Sequence, residues 1–572
     1  MLLRVLQLVA WIVALPWLLV RRAMRPPAGT YVLAEIDGRI DDAPVALARW
    51  SLPGAPGRVS LHALREVVDE MARDPRVAGL LLVIKSARGG FATAASVRAI
   101  IERARAAGKK VVVHLPMGGG TRETYVGVAA DRLLVGPQSG LAAVGLLSST
   151  RYVRGALDRA GVVPEVYARG RYKTAAESFE RTAMSEAQRE QLEALLGAVH
   201  DDVVRAIAEG RRMTREQAVA AVDAAPYVGQ EAVDAGLADA VAYEDEIVDR
   251  IAVAPAREAR PALRPAAAYL RGRKALRVRA LEPYGAIAVV RVHGAIASAA
   301  GLPFASVAFD ERILSAIRTA KASPRVRGVV LHVDSPGGSA LASDRIHHEL
   351  TRLAAAKPLV ACLGDVAASG GYYVAAAAHE IVAQRTTVTG SIGVISARMV
   401  LDPLLARLGV VTEVIQRGAH ARMLDPFAPL DDSAREATHR EIERIYQAFV
   451  AVVARGRGRS HAEIEAIAQG RVWIGADAQA RGLVDRIGGF EHAVEAVRSR
   501  IGKGAGRLRV VALRSPRRPL PWNEGAYDPP AARALVNSLE AVASVLGLDP
   551  ALLSLARERV LAFSPVAAGL SW

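Results

Sequence analysis

The chain has 572 residues, of which 51% are hydrophobic, and a net charge of +16. At about 150 residues per domain, this length predicts two to four domains with large buried cores. The single cysteine, Cys362, excludes an intramolecular disulfide and a multi-cysteine metal site. The positive charge suits nucleic acid or an anionic membrane surface. Because the sequence contains no nucleic-acid-binding motif and no zinc-ligand spacing, the membrane is favoured.

Residues 1–25 are predicted to be an N-terminal membrane anchor. The segment 5–20 is almost entirely apolar, and Arg21, Arg22 and Arg25 follow it. A spanning helix needs about 20 apolar residues, so this one is short. A cleaved signal peptide is the alternative, but no small-residue cleavage site precedes the arginines. The positive-inside rule alone places the arginine flank in the cytoplasm.

Apolar runs alternate with amphipathic stretches along the rest of the chain, which predicts an α/β fold with parallel sheets covered by helices. In the first half, strands are predicted at 31–36, 79–84 and 111–114, and helices at 61–72, 95–107 and 185–210. In the second half, strands are predicted at 286–292, 328–333 and 359–363, and helices at 309–320, 342–355 and 433–455. An apolar tail at 531–562 is also predicted to be helical.

The chain contains a similar domain twice. Residues 159–170 read RAGVVPEVYARG and residues 407–418 read RLGVVTEVIQRG, with eight of twelve positions identical at an offset of 248. The predicted organisation is a first repeat at 26–254, a basic Ala-, Pro- and Arg-rich linker at 255–282, a second repeat at 283–507 and an extension at 508–572. The linker is interpreted as solvated, and binding to anionic lipid headgroups is the alternative.

The turn DSPGGS at residues 334–339 directly follows a predicted strand. Gly337 and Gly338 allow a tight turn in which backbone N–H groups approach a ligand closely. Paired N–H groups of this kind can stabilise an oxyanion, and an ordinary strand-to-helix turn is the alternative. The first repeat keeps both glycines, as Gly89 and Gly90.

Two serines of the second repeat lie in glycine-rich turns. Ser369 lies in GDVAASGGYY after a predicted strand, a position that resembles a nucleophile elbow although the sequence is not GxSxG. Ser391 lies in TVTGSIGV, between two glycines. Alone, each serine is better explained as a turn residue, and the glycine turn around Ser391 is then interpreted as one that leads into a strand. Asp365 is interpreted as a turn or packing residue rather than an acid catalyst.

One lysine of the first repeat, Lys173, lies among short residues in GRYKTAAESF. A lysine can act as the base for a serine only when it is neutral. Its pKa must therefore fall several units below the free value of about 10.4, which burial can achieve. No histidine lies in a local sequence typical of a Ser–His–Asp triad. A lone lysine is more commonly a surface charge.

Comparison of the two repeats singles out this serine and this lysine. At the offset of 248, Lys173 stands opposite Ala421, and Ser369 stands opposite Thr121. Each repeat has therefore kept one of the two residues and lost the other. This complementary loss indicates that Ser369 and Lys173 form one site.

These motifs, in two copies behind an apolar N-terminus, resemble the signal peptide peptidase A family in its long, duplicated bacterial form, over about residues 30–505. The resemblance implies a tandem duplication of a Clp protease/crotonase-like α/β domain with an N-terminal transmembrane helix. It also implies a membrane-bound serine endopeptidase that degrades signal peptides left in the membrane after preprotein cleavage. No cofactor and no metal are implied.

The resemblance also assigns roles to individual residues. By it, Ser369 is the nucleophile, Lys173 is the general base, and Ser391 orients the lysine. Gly337, Gly338 and Gly370 are the expected oxyanion hole. The implied assembly is a homotetramer in the bacterial inner membrane, single-pass and in contact with lipid, with its catalytic domain on the periplasmic side. The implied partners are hydrophobic signal peptides, and nucleic acid is not among them.

Three alternatives are open at this point. A crotonase-like acyl-CoA enzyme would use paired amides but would need neither Ser369 nor Lys173. A non-enzymatic membrane scaffold would have no reason to retain both residues. A peptidase with broader, quality-control substrates among membrane proteins would have the same site, so the sequence does not separate it from a signal peptide peptidase.

Overall fold

The computed structural model describes residues 25–44, 58–251, 261–275, 285–298, 307–425, 428–513 and 561–563. The predicted anchor lies outside these residues except for Arg25, as do parts of the linker and residues 531–560 of the predicted helical tail. Within the described part of the chain, no helix is both long enough and apolar enough to cross a bilayer.

The strands, in chain order, are β1 (Thr30–Asp41), β2 (Arg58–Ser60), β3 (Val77–Arg88), β4 (Lys110–Leu115), β5 (Gly119–Gly120), β6 (Arg132–Val135), β7 (Gly140–Ala142), β8 (Val163–Arg169), β9 (Tyr227–Val228), β10 (Ala240–Val241), β11 (Leu263–Pro265), β12 (Ala286–His293), β13 (Ala295–Ala297), β14 (Val307–Phe309), β15 (Val326–Ser335), β16 (Gly337–Ser339), β17 (Leu359–Ala368), β18 (Glu380–Ala383), β19 (Val388–Gly390), β20 (Val394–Val400), β21 (Val472–Ile474), β22 (Arg486–Ile487), β23 (Arg509–Ala512) and β24 (Leu561–Phe563).

The helices are α1 (Leu61–Ala72), α2 (Phe91–Ala106), α3 (Thr121–Gly127), α4 (Arg154–Ala160), α5 (Glu177–Glu180), α6 (Glu186–Arg211), α7 (Arg215–Asp223), α8 (Gln230–Asp234), α9 (Ile247–Ile251), α10 (Ala266–Ala275), α11 (Asp310–Ala322), α12 (Ala340–Ala354), α13 (Gly370–Ala375), α14 (Asp402–Arg407), α15 (Asp432–Arg457), α16 (His461–Ile467), α17 (Gly475–Ala480) and α18 (Phe490–Ile501). Short 3₁₀ turns are formed by Thr174–Ala176, Ala421–Leu424 and Ala505–Arg507.

The chain forms two compact units that do not follow the repeat boundaries. The first contains the described residues of Met1–Gly89, Thr93–Gly145 and Asp201–Pro283. The second contains those of Gly90–Ala92, Leu146–His200 and Tyr284–Trp572. A segment of about 55 residues from the first repeat, which includes Lys173, therefore folds with the second repeat.

The first unit is built on a parallel sheet in the order β10-β6-β4-β3-β1-β11, with β2 added beside β1. The predicted strands at 79–84 and 111–114 lie within β3 and β4. Residues 80–84 are at most 5% exposed, because both faces of this central strand are covered. A small second sheet has the order β5-β7-β9.

The second unit contains a larger sheet in the order β21-β19-β17-β15-β12-β23, in which only β21 is antiparallel to its neighbour. The predicted strands at 328–333 and 359–363 lie within its two central strands. Cys362 lies in β17 with no exposed surface, in agreement with its place in the predicted strand at 359–363. The residues that follow β15 and β17 meet at the same edge, since neighbouring parallel strands end together.

A third sheet, also in the second unit, has the order β14-β13-β16-β24-β20-β8. It joins β8 of the first repeat to β20 of the second as antiparallel neighbours. β8 is not among the predicted strands, because several of its side chains are only half-buried and no continuous apolar run marks it. β20 follows the glycine turn around Ser391, in agreement with the interpretation of that turn as one that leads into a strand. Residues 561 and 562, predicted to end a helix, lie instead in β24, where their backbone pairs with other strands.

Candidate active site

Ser369 lies at the sharp junction between β17 and α13. Its backbone has φ 54° and ψ −116°, a conformation that costs about 1–3 kcal/mol for a residue with a side chain. The turn is held on both sides: the Ser369 N–H donates to the Gly390 carbonyl (2.8 Å), and the Ser369 carbonyl accepts from the Tyr373 N–H (2.8 Å). Such a strained strand-to-helix turn is typical of a serine nucleophile.

The helix that follows Ser369 is anchored in the core. All six residues of α13 are buried. The Tyr372 hydroxyl donates to the Leu483 carbonyl (2.7 Å), and the Tyr373 hydroxyl donates to Asp344 (2.8 Å). This anchoring holds Ser369 in its strained conformation.

Lys173 follows β8 and points its ammonium group at both predicted serines. Lys173 Nζ lies 2.9 Å from Ser369 Oγ, 3.0 Å from Ser391 Oγ and 3.2 Å from the Ser391 carbonyl oxygen. The lysine is 5% exposed and both serines are at most 1% exposed. Burial away from water lowers the pKa of Lys173 to about 7, because the charged ammonium is disfavoured there.

Ser391 is placed by the turn between β19 and β20. Its φ is 51°, and its N–H donates to the Arg471 carbonyl (2.7 Å). Gly393 in the same turn has no room for a side chain, since a Cβ there would lie 3.1 Å from Lys173 Cδ and 2.8 Å from Gly470 Cα. The TGSIG turn thus supplies an acceptor for the lysine and the space for its side chain.

A loop absent from the sequence-based prediction, Gln469–Gly470–Arg471, contacts both sides of this site. The Tyr172 N–H donates to the Gln469 carbonyl (2.8 Å), and the Gly470 N–H donates to the Ile392 carbonyl (2.8 Å). Gly470 has φ 73°, and a Cβ there would lie 2.7 Å from Lys173 Cβ. In the sequence, this loop is marked only by a glycine before an apolar strand. That pattern does not indicate that the loop contacts Lys173.

The arginine of this loop holds the residue next to the lysine. The Arg471 guanidinium lies 4.6 Å from the ring centre of Tyr172 and 4.5 Å from that of Trp473. It also forms a 2.9 Å ion pair with Glu190 and donates to the Tyr172 hydroxyl (3.2 Å). These contacts restrict the turn that carries Lys173.

The three glycines expected to form the oxyanion hole differ in their backbone conformation and hydrogen bonds. The Gly337 N–H donates to Ser335 Oγ (3.1 Å), so it is engaged within the turn. Gly338 has φ 152°, and a Cβ there would lie 2.0 Å from the Ile296 carbonyl oxygen, so only glycine fits. Gly370 begins α13, where the first N–H groups of a helix have no partner within the helix. Of the three, Gly337 is therefore the weakest donor candidate, because its N–H is already engaged.

Asp365 is occupied by backbone contacts. Its Oδ2 accepts from the Gly90 N–H at 2.7 Å. A Cβ on Gly90 would lie 2.7 Å from the Asp365 carboxyl group, so the two residues fit closely. This contact agrees with the interpretation of Asp365 as a packing residue.

A strand from the far end of the chain lies along the candidate oxyanion turn. β24 pairs antiparallel with β16, with Gly337 opposite Phe563, Gly338 opposite Ala562 and Ser339 opposite Leu561. On its other side, β24 pairs with β20 at Ile395. An extended segment thus occupies the position between the candidate oxyanion strand and the strand that follows Ser391.

The equivalent positions of the other copy have no dyad. Thr121 begins α3 after Gly120, whose φ is −90°, and lacks the positive φ of Ser369. Its hydroxyl donates to the Gly145 carbonyl (2.9 Å). Ala421 begins a 3₁₀ turn and has no ionisable group. Of the two equivalent sites, only that of Ser369 can combine a nucleophile with a base.

Comparisons with known proteins find a peptidase family and several proteases that are similar to this chain. The model of peptidase family S49 matches residues 103–256 and 351–502, more than half of the chain. The chloroplastic serine protease SPPA of Arabidopsis thaliana is 31% identical over 487 residues, which cover 84% of this chain and 70% of that protein. Protease 4 of Salmonella typhi is 31% identical over 489 residues, 81% of this chain and 77% of the relative. Protease 4 of Haemophilus influenzae is 28% identical over 489 residues, 81% of this chain and 78% of the relative.

The family match decides between the enzyme classes that the sequence left open. It covers both repeats, and the relatives named above are aligned across both of them. It favours a peptidase over an acyl-CoA enzyme. The chain belongs to peptidase family S49 and is a long, duplicated serine peptidase of the signal peptide peptidase A type.

Proposed function

We propose that this chain is an endopeptidase with a Ser/Lys dyad, in which Ser369 is the nucleophile and Lys173 is the general base. The observation that carries the proposal is the 2.9 Å contact between Lys173 Nζ and Ser369 Oγ in a buried site. Burial lowers the pKa of Lys173 to about 7, so a large fraction of the lysine is neutral at physiological pH. A neutral amine can accept the serine proton.

The reaction is an acyl transfer in two stages. Neutral Lys173 takes the hydroxyl proton of Ser369 as Oγ attacks the scissile carbonyl, and the tetrahedral oxyanion accepts hydrogen bonds from the N–H groups of Gly338 and Gly370. The C–N bond then breaks, and protonated Lys173 gives its proton to the leaving amine. In the second stage water attacks the acyl-enzyme, with Lys173 again as the base, and Ser369 is restored.

Ser391 keeps the lysine amine directed at the nucleophile. Its hydroxyl and its carbonyl oxygen both lie within 3.2 Å of Lys173 Nζ. These two contacts leave the lysine few orientations in which it does not face Ser369. The role of Ser391 is thus to position the base.

Substrates bind as extended peptides that add a strand between β16 and β20. The support is β24, which already makes antiparallel pairs with both strands. Strand addition recognises the peptide backbone, so it tolerates varied sequences and requires an unfolded segment. Hydrophobic signal peptides left in the membrane meet this requirement, and so do unfolded segments of membrane proteins in the quality-control alternative.

The proposed setting is the bacterial inner membrane. The apolar segment 5–20 would be a single-pass anchor in contact with lipid, and the catalytic domain would lie on the periplasmic side as part of a homotetramer. Long domains translocate largely regardless of flanking charge, so the arginines after the anchor do not oppose this orientation strongly. A reporter that is active only in the periplasm, fused to the C-terminus, tests it: an inactive fusion overturns the orientation.

The dyad is tested by cleavage of a fluorogenic apolar peptide by full-length wild-type protein and by the variants Ser369→Ala and Lys173→Ala. Both variants are expected to lose nearly all activity, and only Ser369→Ala is expected to lose labelling by a serine-reactive phosphonate completely. Matched controls are Ser499→Ala and Lys503→Met, both at exposed positions and both expected to retain activity. Activity that survives Lys173→Ala would contradict the dyad.

A further inference from the structure

The first half of α6 places a buried glutamine against the edge of the larger sheet. Gln191 is 1% exposed, and its Oε1 accepts from the Val472 N–H at 2.7 Å. Val472 begins β21, which is the last strand in the order of that sheet, so a side chain rather than a further strand accepts this N–H. Because β21 continues directly from the Gln469–Arg471 loop, the glutamine also holds one end of the loop that contacts Lys173.

Val472 is close along the backbone network to both serines of the site. It pairs antiparallel with Gly390, whose carbonyl accepts from the Ser369 N–H (2.8 Å). The carbonyl of the preceding residue, Arg471, accepts from the Ser391 N–H (2.7 Å). A shift of β21 would therefore displace the acceptor of one serine N–H and the strand partner of the acceptor of the other.

The residues on either side of Gln191 in α6 contact the same region. The preceding residue, Glu190, forms an ion pair with the arginine of the loop. One helical turn after Gln191, Leu195 lies in a buried apolar cluster with Ala368, the residue before Ser369. Residues three and four apart lie on one face of a helix, so Gln191 and Leu195 present one surface of α6 to the site.

The side-chain amide of Gln191 is only half satisfied. Its Nε2 is buried and has no hydrogen-bond partner among the residues that the structure describes. A buried donor without a partner destabilises a fold, and native proteins contain few such groups. An apolar side chain of the same size would avoid this loss. The one hydrogen bond that the amide makes, to the Val472 N–H, therefore indicates a role in the site rather than in the stability of the fold.

The equivalent positions of the other copy lack both halves of this bond. The helices α6 and α15 are both 26 residues long and begin 246 positions apart, at Glu186 and Asp432. The strands β9 and β21 correspond at the same offset, since they pair with β7 and β19 in equivalent registers. Gln191 then corresponds to Ala437, and Val472 corresponds to Pro226, which has no N–H. Of the two equivalent positions, only the one beside the proposed dyad can form the bond.

We propose that Gln191 is a positioning residue for the dyad: through the Val472 N–H it fixes β21, and with it the turns that carry the two serines. This inference rests on the proposed dyad. Without the bond, β21 and the loop before it gain freedom, and Lys173 loses part of its restraint. Gln191 acts through the backbone and takes no part in proton transfer, so its loss is expected to lower kcat with little change in KM.

Peptide cleavage by full-length Gln191→Met tests the inference. Methionine has a similar length but no amide oxygen to accept the Val472 N–H, and it also removes the unpaired Nε2. The two changes have opposite effects on stability, so Tm is expected to change little while kcat falls about 10- to 100-fold. Gln188→Met is the matched control, because Gln188 is also buried on α6 but accepts from the Tyr152 hydroxyl. The control is expected to retain activity.

Two further measurements separate positioning from a purely structural role. Gln191→Glu keeps an oxygen within reach of the Val472 N–H and is expected to recover most of the kcat that Gln191→Met loses. In Gln191→Met, the pH midpoint of kcat/KM is expected to move above about 7, because a less restrained Lys173 gains water and its pKa returns toward the usual value.

Wild-type kcat and an unmoved midpoint in Gln191→Met overturn the inference, and so does a loss of activity that comes with a lower Tm at an unmoved midpoint. Lys173→Ala is measured beside it. If Lys173→Ala is inactive and Gln191→Met is fully active, only the role of Gln191 fails. If Lys173→Ala is active, the proposed dyad itself fails.

Discussion

Lys173 Nζ lies 2.9 Å from Ser369 Oγ although the two residues are 196 positions apart in the sequence. The contact exists because residues 146–200, from the first repeat, fold into the unit that contains the second repeat. Within that unit, the β8–β20 pair brings the lysine to the serine. The two residues of the proposed dyad therefore lie together inside one compact unit of a single chain.

The first prediction concerns the pH dependence of cleavage. Protonated Lys173 cannot accept the Ser369 proton, and burial lowers its pKa to about 7. The value of kcat/KM is therefore expected to rise as pH increases and to level off above about pH 8. Peptide cleavage measured at constant ionic strength checks this. A rise that is centred near pH 10 would show that the lysine is not desolvated in the free enzyme.

The second prediction concerns stability. The pKa of Lys173 is lowered in the folded state, so the unfolded chain binds more protons between about pH 7 and 10, and folding becomes more favourable as pH rises through that range. Lys173→Met removes this dependence of the free energy of unfolding on pH. In the wild-type protein the dependence amounts to roughly 1.4 kcal/mol per pH unit at most. The variant is expected to raise Tm more at pH 6 than at pH 9.5.

Thermal unfolding of Lys173→Met and of the exposed control Lys503→Met at both pH values separates this effect from a general loss of charge. An equal change in Tm at the two pH values would argue against a buried, neutral lysine.

The third prediction concerns Ser391 as a positioning residue. Ser391→Ala removes one acceptor of Lys173 but keeps the Cβ, and the Ser391 carbonyl still accepts at 3.2 Å. We expect kcat to fall about 10- to 100-fold with little change in KM, since the loss is in the orientation of the base. Ser499→Ala is the control. Loss of binding alone, seen as a higher KM at unchanged kcat, would assign Ser391 to the substrate instead.

The fourth prediction concerns the loop that the sequence analysis does not reveal. Gly470→Ala would place a Cβ 2.7 Å from Lys173 Cβ at a backbone φ of 73°. The lysine is expected to move, and activity to fall at least 100-fold. Gly197→Ala, where nothing lies within 4 Å of the added Cβ, is expected to be neutral. Full activity of the Gly470 variant would show that the loop does not restrict the lysine.

The fifth prediction concerns β24. If peptides add to β16 where β24 now pairs, the two compete for the same backbone groups. Ala562→Pro removes the N–H of the residue opposite Gly338 and is expected to lower KM for peptide substrates. Ala562→Ser keeps that N–H and is the control. A higher KM in the proline variant would mean that β24 supports the binding site rather than occupying it.

Much of this site was accessible to sequence reasoning because its signals are local. Continuous apolar runs identified β3, β15 and β17, and the glycines around Ser369 and Ser391 marked strand ends. Comparison of the repeats then separated Lys173 from the other lysines. The strand β8 was missed because its partly exposed side chains give no clear periodicity. The Gln469–Arg471 loop was missed because its contact with Tyr172 spans 299 positions.

By itself, the sequence determines that the chain is a duplicated α/β protein with one serine and one lysine retained between its copies, and its match to peptidase family S49 makes it a peptidase. These are properties of residue order and identity. Only the tertiary structure decides that Lys173 is buried, that its pKa is lowered to about 7 and that Ser391 accepts from it. The physical reason is that desolvation and hydrogen bonding depend on which distant segments surround a group, and folding alone brings β8, β20 and the loop at 469–471 together.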